Sequence, residues 1–399
     1  MSNDAVSETF ELVDGQCKRA VIRVIGVGGG GCNTVNQMAQ AAIQGVEFIS
    51  ANTDRDHLEK CLPVLQLQMG AAVTRGLGAG SNPKVGREAA EEDADRIHEM
   101  LEDTDLLFIT AGMGGGTGTG AAPVIAQIAQ EMGILTVAVV TKPFPHEGKR
   151  RMRVALDGIK ELQEKVDSLI VIPNEKLRLV LGGAVTVLNG FKAANDVLQN
   201  AVQGISDLIT RPGMINVDFA DVKNVMSNRG MAMMGLGAAE GDDRAKKAVE
   251  TALASPLLDD LQLSGAHGIL INITCDESLT LDEMELISDR VGEIASEDAD
   301  IKSGTSIDPS LNGQLRVTVV ATGIDGGRGV QAAPEVPTAD ATSARSVVTR
   351  FRPSAEVVRD ARPVAESVVA RQPRLRQVGA LALDEEILDI PAFLREQAD

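Results

Sequence analysis

Nine residues in the first third of this 399-residue chain, GMGGGTGTG at 112–120, hold six glycines and two threonines. Glycine loses more backbone freedom on folding than any other residue. The run has no bulky side chain whose burial would offset that cost, so it is expected where bare backbone must approach something closely. Its flanks narrow the choice. DLLFIT (105–110) is an apolar run of strand length, and after the loop Val124, Ile125, Ile128 and Ala129 recur at helical spacing. Pro123 is placed near the helix start, where its missing N–H costs little. The unit therefore reads strand, glycine loop, helix. A helix N-terminus offers unpaired N–H groups and partial positive charge, which suit a phosphate, and Thr117 and Thr119 add hydroxyl donors. A Walker loop would end in Gly-Lys-Ser/Thr, which this one lacks. The plainer reading is a tight turn beneath a sheet, for which so dense a run exceeds ordinary turn chemistry.

A second cluster, GVGGGGCN at 26–33, matches G-x-G-x-x-G between an apolar strand and a helix expected from about Asn33, with Asp54 some twenty residues on. Alone it supports a dinucleotide-binding domain and hence an NAD-dependent oxidoreductase. That reading leaves the loop at 112–120 unexplained and supplies no acid or base for hydride transfer. Two glycine loops at the carboxyl ends of two parallel strands fit one polyphosphate gripped from both sides.

Strand and helix signals alternate. Strands are expected at 20–27, 46–53, 133–141, 168–173, 268–274 and 315–322, a helix at 82–102 entered through Asn82 and Pro83, and a long helix at about 184–209. This is a doubly wound parallel α/β pattern followed by a second, smaller α/β unit. From 327 to 380 the texture changes to five prolines, nine arginines and no lysine with no stable period, which reads as a disordered linker. The expected organisation is a flexible segment 1–19, a nucleotide-binding domain 20–183, a central helix 184–210, a C-terminal α/β domain 211–326, the linker 327–380 and a terminal peptide 381–399.

Composition removes several function classes. A formal net charge of −19 argues against broad nucleic-acid binding. The absence of Trp and Tyr removes aromatic stacking platforms for single strands. Cys17, Cys32, Cys61 and Cys275 form no C-x-x-C pair, and the four histidines share no ligand spacing, so a disulfide framework or zinc site is not expected and the cytoplasm is the natural compartment. No signal peptide or membrane-spanning apolar run is present.

The loop GGGTGTGAAP resembles the signature of the tubulin-like GTPases. VIGVGGGGCN, ANTD, GLGAGSNPKVG, TKPFPHEGKRR, IPNEKL and NVDFADV surround it in the order seen in the bacterial cell-division members of the tubulin/FtsZ family. The likeness runs from about 20 to 324 and resumes at LDIPAFLREQAD. It implies a tubulin-like fold, GTP as substrate and GDP as product, with Mg2+, and K+ as a further candidate, as the cation; it gives no metal ligands. It implies that Gly29, Gly30, Gly31, Cys32 and Asn33, with Gly116, Thr117 and Gly118, clamp the phosphates, and that Ala79 and Gly80 sit by the γ-phosphate. Glu147 would meet the ribose, Arg151 would make a second polar contact, Asn174 would lie by the sugar or base, Phe191 would stack on the base, and Asn195 would read the guanine edge. Cys32 stands where the family often has a small residue; a plain packed thiol is the expectation.

Backbone dipoles and a cation can neutralise phosphates without a lysine. The loops still lack a group to place the attacking water. NVDFAD supplies Asp218 and Asp221 at i and i+3, beside Asn216. The competing reading is an acidic helix start stabilised by the dipole. The resemblance implies that this segment acts in trans, in the nucleotide pocket of the next copy, so that head-to-tail assembly completes the site; a binding scaffold without turnover would not need the pair. It also implies a place in the midcell division ring, regulators such as MinC, and a tail, with Ile387, Ile390, Phe393 and Leu394 on one side, that binds the anchors FtsA and ZipA.

Overall fold

The chain alternates strand and helix because its apolar runs of strand length are separated by amphipathic stretches. The computed structural model describes residues 20–62, 65–181, 186–211, 213–215, 217–228, 230–258, 265–296 and 298–324. In order these form β1 (Ile22–Val27), α1 (Gly28–Gln40), β2 (Val46–Asn52), α2 (Arg55–Leu58), β3 (Leu65–Gln68), α3 (Ala71–Thr74), α4 (Pro83–Glu92) and α5 (Ala94–Met100). There follow β4 (Leu106–Gly112), α6 (Thr117–Glu131), β5 (Leu135–Lys142), α7 (Lys149–Gln163), β6 (Ser168–Pro173), α8 (Asn174–Leu181) and the long α9 (Val187–Thr210). The rest comprises α10 (Phe219–Met226), β7 (Gly230–Ala239), α11 (Arg244–Leu253), β8 (Gly268–Cys275), α12 (Leu281–Gly292), β9 (Asp300–Ile307) and β10 (Leu315–Ile324).

The ten described strands form one sheet in the order β3-β2-β1-β4-β5-β6-β7-β10-β8-β9. β3 through β7 run parallel, β10 is antiparallel to both β7 and β8, and β9 is parallel to β8. β1 pairs with β2 on one side and β4 on the other, Ile22 opposing both Val46 and Leu106. The chain turns back across the sheet at β1, and in an α/β sheet ligands bind beyond the carboxyl ends of strands at such a point. Alternation in β4 sends Leu107, Ile109 and Ala111 to one core, shared with α4–α7, and Leu106 and Phe108 to the other, shared with α1 and α9. Leu198, Ala201, Val202, Ile205 and Leu208 form the buried stripe of α9, against core residues from β4 and β5 and also from β7, β8 and β10.

Several expectations are corrected. α1 begins at Gly28, inside the glycine cluster, rather than near Asn33. α6 likewise begins at Thr117, so Pro123 lies within the helix and not at its start. The helix expected at 82–102 is two, broken at Asp93, whose carboxylate accepts the Gly70 N–H at 2.7 Å and an Arg96 Nη1–H at 2.7 Å. The tail calls on Ile387, Ile390, Phe393 and Leu394 and the linker lie outside the described residues. Among the described residues no helix is long and apolar enough to cross a membrane.

Candidate nucleotide site

The two glycine loops meet because β1 and β4 are neighbours. Gly28, at φ +72°, approaches the second loop so closely that an added Cβ would lie 2.8 Å from Gly118 N. A Cβ on Gly118 would lie 2.9 Å from Gly112 O. Beside them, Thr53 Oγ1 and Thr117 Oγ1 meet at 2.6 Å. Other glycines admit packing rather than a ligand: a Cβ on Gly31 would strike Thr110 O at 2.3 Å, and one on Gly120 would strike Pro83 O at 2.0 Å. Gly115 has nothing within 4 Å of its Cβ position. Bare backbone there faces a cavity of about 260 Å3, bounded by the carboxyl ends of β1, β4, β5 and β6 and by α9.

Of the residues expected at the nucleotide, Gly29, Gly30, Gly116, Thr117, Gly118, Glu147, Arg151, Asn174, Phe191 and Asn195 line this cavity together. The N-termini of α1 and α6 open onto it, so the local field favours an anion. Asn174 Oδ1 is buried without a hydrogen-bond partner in this wall. An orphaned acceptor of that kind costs free energy unless a ligand donates to it. Thr34 Oγ1 lies 3.1 Å from Gly30 O and 3.0 Å from Asn195 Oδ1, which joins α9 to the first loop. Glu147 is held by Phe144 N–H at 2.7 Å and by Arg151 Nη1 at 3.0 Å. Phe144 stacks on His146 at 5.3 Å and meets Phe191 edge-on at 5.4 Å, leaving Phe191 43% exposed at the rim.

The other expected residues sit around the cavity rather than in its lining. Gly31 and Cys32 are buried, and Ala79 packs behind Gly116, where a Cβ would come within 2.8 Å of it. Gly80, at φ +57°, has nothing near its Cβ position. Asn33 is exposed and borders an adjoining groove with Phe191 and Asn195. Burial drives the Cys32 thiol far above its ordinary pKa, as a packed thiol requires. Thr119 does not serve the cavity as expected: its Oγ1 accepts the Gly114 N–H at 2.8 Å and shapes the loop from within. Sequence reasoning missed Gly28, Thr34, Thr53 and Thr141. Starting α1 at Gly28 would have turned Thr34 toward the loop; Thr53 and Thr141 carry no local signal.

Asp218 and Asp221 lie elsewhere. Asp218 caps α10, its Oδ1 accepting the Asp221 N–H at 2.7 Å. Asp221 Oδ1 lies 3.2 Å from Lys302 Nζ on β9. Asp218 borders a cleft with Ala20, Gln44 and Gly45, which precede β1 and β2, so it sits at the amino ends of the strands. The six residues of β1 separate the two ends by roughly 20 Å. Asn216 lies outside the described residues. Among the described residues no three His, Cys, Asp or Glu side chains converge as a metal site.

The tubulin/FtsZ family GTPase-domain model matches residues 21–182, and the FtsZ family C-terminal-domain model matches 230–325. The cell division protein FtsZ of Pseudomonas aeruginosa is 53% identical, covering 98% of this chain and 100% of its own length. That of Coxiella burnetii is also 53% identical, covering 97% and 98%. A solved structure described as an empty FtsZ dimer of M. jannaschii is 46% identical with a TM-score of 0.75, covering 78% of this chain and 90% of that one. A GTPγS-bound CetZ2 protofilament from Haloferax volcanii shares the fold at a TM-score of 0.66 and 22% identity, covering 77% and 94%. None of this supports the dehydrogenase alternative, and Asp54, the acidic residue some twenty positions after the first glycine cluster, instead caps α2 by accepting the His57 N–H at 3.1 Å. With both glycine loops on one cavity and both family models in sequence, the chain belongs to the tubulin/FtsZ family of GTPases.

Proposed function

We propose that this cell-division GTPase assembles head to tail and hydrolyses GTP at a site shared by adjacent copies. The observation that carries the proposal is the separation of parts: an anion cradle at one end of the sheet and the Asp218–Asp221 pair at the other. Among the described residues lining the cradle the one carboxylate, Glu147, is already tied to Phe144 N–H and Arg151, which favours a water-orienting group from outside. A second copy stacked end to end supplies it, and a heterologous contact of that kind propagates as a filament.

In this reading the amides of Gly28–Gly30 and Gly116–Gly118 hold the phosphates, Thr117 donates to them, Ala79 and Gly80 border the γ-phosphate, and Gly31, Cys32 and Asn33 support the first loop. Glu147 and Arg151 address the ribose, Asn174 and Asn195 the base, and Phe191 covers it. Asp218 and Asp221 of the next copy, with Asn216, orient the attacking water. Mg2+ prefers oxygen ligands and keeps several waters; without a cage of three acidic or imidazole side chains among the described residues, phosphate oxygens would supply most of its ligands, and K+ would bind more loosely. When bound it would offset the negative charge that develops on the phosphates. Residues 20–183, 184–210 and 211–326 would act as nucleotide domain, connecting helix and C-terminal domain.

The chain's setting follows as part of the same proposal. The shared name of its relatives, cell division protein, supports a role in division; a cytoplasmic ring at midcell would be its place. FtsA- and ZipA-type anchors would take the tail, and regulators such as MinC would act on the polymer.

The deciding experiment is GTP turnover per molecule across a hundredfold range of protein concentration, with light scattering alongside. Turnover per molecule should rise above a threshold at which scattering also rises. Constant specific activity through that threshold would overturn the shared site.

A further inference from the structure

Neither glycine loop carries a lysine, but one stands beside the acidic pair at the other end of the sheet. β9 is the last strand in the sheet order, and the segment leading from α9 to α10 runs along it. Thr305 N–H donates to Ile215 O at 3.0 Å, and Ile215 N–H donates to Thr305 Oγ1 at 2.9 Å. A Cβ on Gly213 would lie 1.6 Å from Thr305 O, so only glycine fits that approach. Arg211, at the start of the segment, reaches Asp308 just past the strand at 3.0 Å. A Cβ on Gly304 would lie 2.5 Å from Leu208 Cδ2 and 2.8 Å from Val217 Cγ2. That face of β9 is turned toward α9 and the start of α10, and Lys302, two residues earlier, shares it. Lys302 Nζ lies 3.2 Å from Asp221 Oδ1 and 3.5 Å from Asp300 Oδ1, with its side chain 33% exposed.

The charges at the two ends of the sheet make this lysine useful. Among the described residues lining the cradle, Arg151 is the one Lys or Arg, and it is paired with Glu147. A triphosphate held there is strongly negative, so carboxylates brought against it meet like charge, a juxtaposition that weakens an interface. Lys302 sets one positive charge against Asp221 and Asp300. It also ties one oxygen of Asp221 to a strand, which limits the swing of a half-exposed side chain. An exposed ion pair of this kind contributes little to fold stability, so its consequence lies in where it places the carboxylate and its charge.

We propose that Lys302 is a positioning residue for hydrolysis: it fixes the Asp221 carboxylate on β9 and travels with it, as its counter-charge, to the nucleotide of the next copy. The inference rests on the shared-site reading and deepens it. Asp221 and Lys302 sit 3.2 Å apart, so a copy that receives one receives the other. The carboxylate keeps lone pairs for the attacking water, and the ammonium offsets the repulsion between that carboxylate and the phosphates. Lys302 has no part in the nucleotide affinity of its own chain, because the cradle lies beyond the opposite ends of the strands.

Turnover and light scattering of the full chain, at fixed Mg2+ and K+ with tetramethylammonium chloride as the added salt, test the proposal. Lys302→Met should keep the wild-type melting temperature and the GTP affinity of dilute protein. Its turnover above the assembly threshold should fall about fivefold with KM unchanged, and the threshold itself should rise. Lys302→Arg keeps the charge and should restore both. Raising the salt from about 50 mM to about 300 mM shortens the screening length, so the gap in threshold between Lys302→Met and wild type should narrow. Wild-type turnover and threshold in Lys302→Met at low salt would overturn the proposal. So would a deficit that Lys302→Arg does not restore, or a threshold gap that salt leaves unchanged. Asp221→Ala, measured alongside, separates this inference from the reading beneath it. If Asp221→Ala is impaired while Lys302→Met is not, only the lysine's role fails; wild-type turnover by Asp221→Ala would overturn the shared site itself.

Discussion

The hydroxyls of Thr53 and Thr117 meet at 2.6 Å and join the loop after β2 to the first residue of α6. Thr117 lines the cavity, whereas Thr53 is fully buried. A bound phosphate decides the direction of the bond. In the proposed complex Thr117 would donate to the anion and so accept from Thr53. Thr53→Val keeps the shape and removes that donor, leaving Thr117 free to rotate. GTP affinity should fall about fivefold, the equivalent of about 1 kcal/mol, with little change in melting temperature. Isothermal titration with GDP and GTP measures it; unaltered affinity would show that the contact is only packing.

Two glycines of one loop should fail for different reasons. Gly115 faces the cavity with open space at its Cβ position and no positive φ. Gly115→Ala should therefore fold with wild-type stability and lose GTP affinity, because the methyl occupies space meant for phosphate. Gly120 lies against α4, where a methyl would come within 2.0 Å of Pro83 O and 2.7 Å of Arg87 N. Gly120→Ala should lower the melting temperature, on the order of 1–3 kcal/mol of overpacking, before it affects affinity. Paired thermal melts and nucleotide titrations separate the two; the reverse pattern would contradict the assignment of cavity and packing faces.

The strands that sequence could show are continuous apolar runs: β1 and β5, rich in β-branched residues, and β4, led by Leu106, Leu107 and Phe108. β7 was not legible. Its ten residues, GMAMMGLGAA, lack β-branching altogether. A Cβ on Gly235 would strike Ala252 O at 2.2 Å, and one on Gly237 would strike Ala248 O at 2.0 Å. Those glycines exist for the close approach of α11, a tertiary demand that no local pattern reports. β3 is four residues long, and β9, DIKSGTSI, has apolar residues only at its second and last positions, so neither carries a strong period. The candidate site was legible where backbone chemistry dominates, in the glycine loops. It was not legible at Thr53 and Thr34, whose roles depend on strand order and helix phase.

Asp207 on α9 gives the fold a pH dependence. Its side chain is 4% exposed, and burial raises its pKa from 3.8 to about 6 despite Arg211, whose Nε lies 2.9 Å away. Arg211 in turn reaches Asp308 at 3.0 Å. Since the folded-state value lies above the unfolded one, the contribution is full below about pH 4 and is lost as pH rises through about 6. A shift of that size corresponds to about 3 kcal/mol. Asp207→Asn removes the titration, so the difference in melting temperature between about pH 5 and about pH 7 should shrink in the variant. Identical pH slopes for variant and wild type would mean that Asp207 titrates normally.

The last prediction concerns Asp221, which faces Lys302 rather than the cavity of its own chain. If the acidic pair serves a neighbour, Asp221→Ala should leave GTP affinity nearly unchanged and lower turnover by about a hundredfold, the usual scale for a lost group of this kind. Asp218 is the less clean target, because its carboxylate also caps α10. A change there mixes folding with chemistry. Thr117→Arg fills the cradle instead and should abolish nucleotide binding while preserving the acidic end. Each variant alone is expected to have little or no turnover. Mixed under assembling conditions, some junctions pair an intact cradle with an intact acidic end, so part of the activity should return. Recovery should vanish on dilution below the assembly threshold. Wild-type turnover by Asp221→Ala alone would refute its role in the chemistry. Two inactive variants that co-assemble without any recovery would refute the sharing of the site.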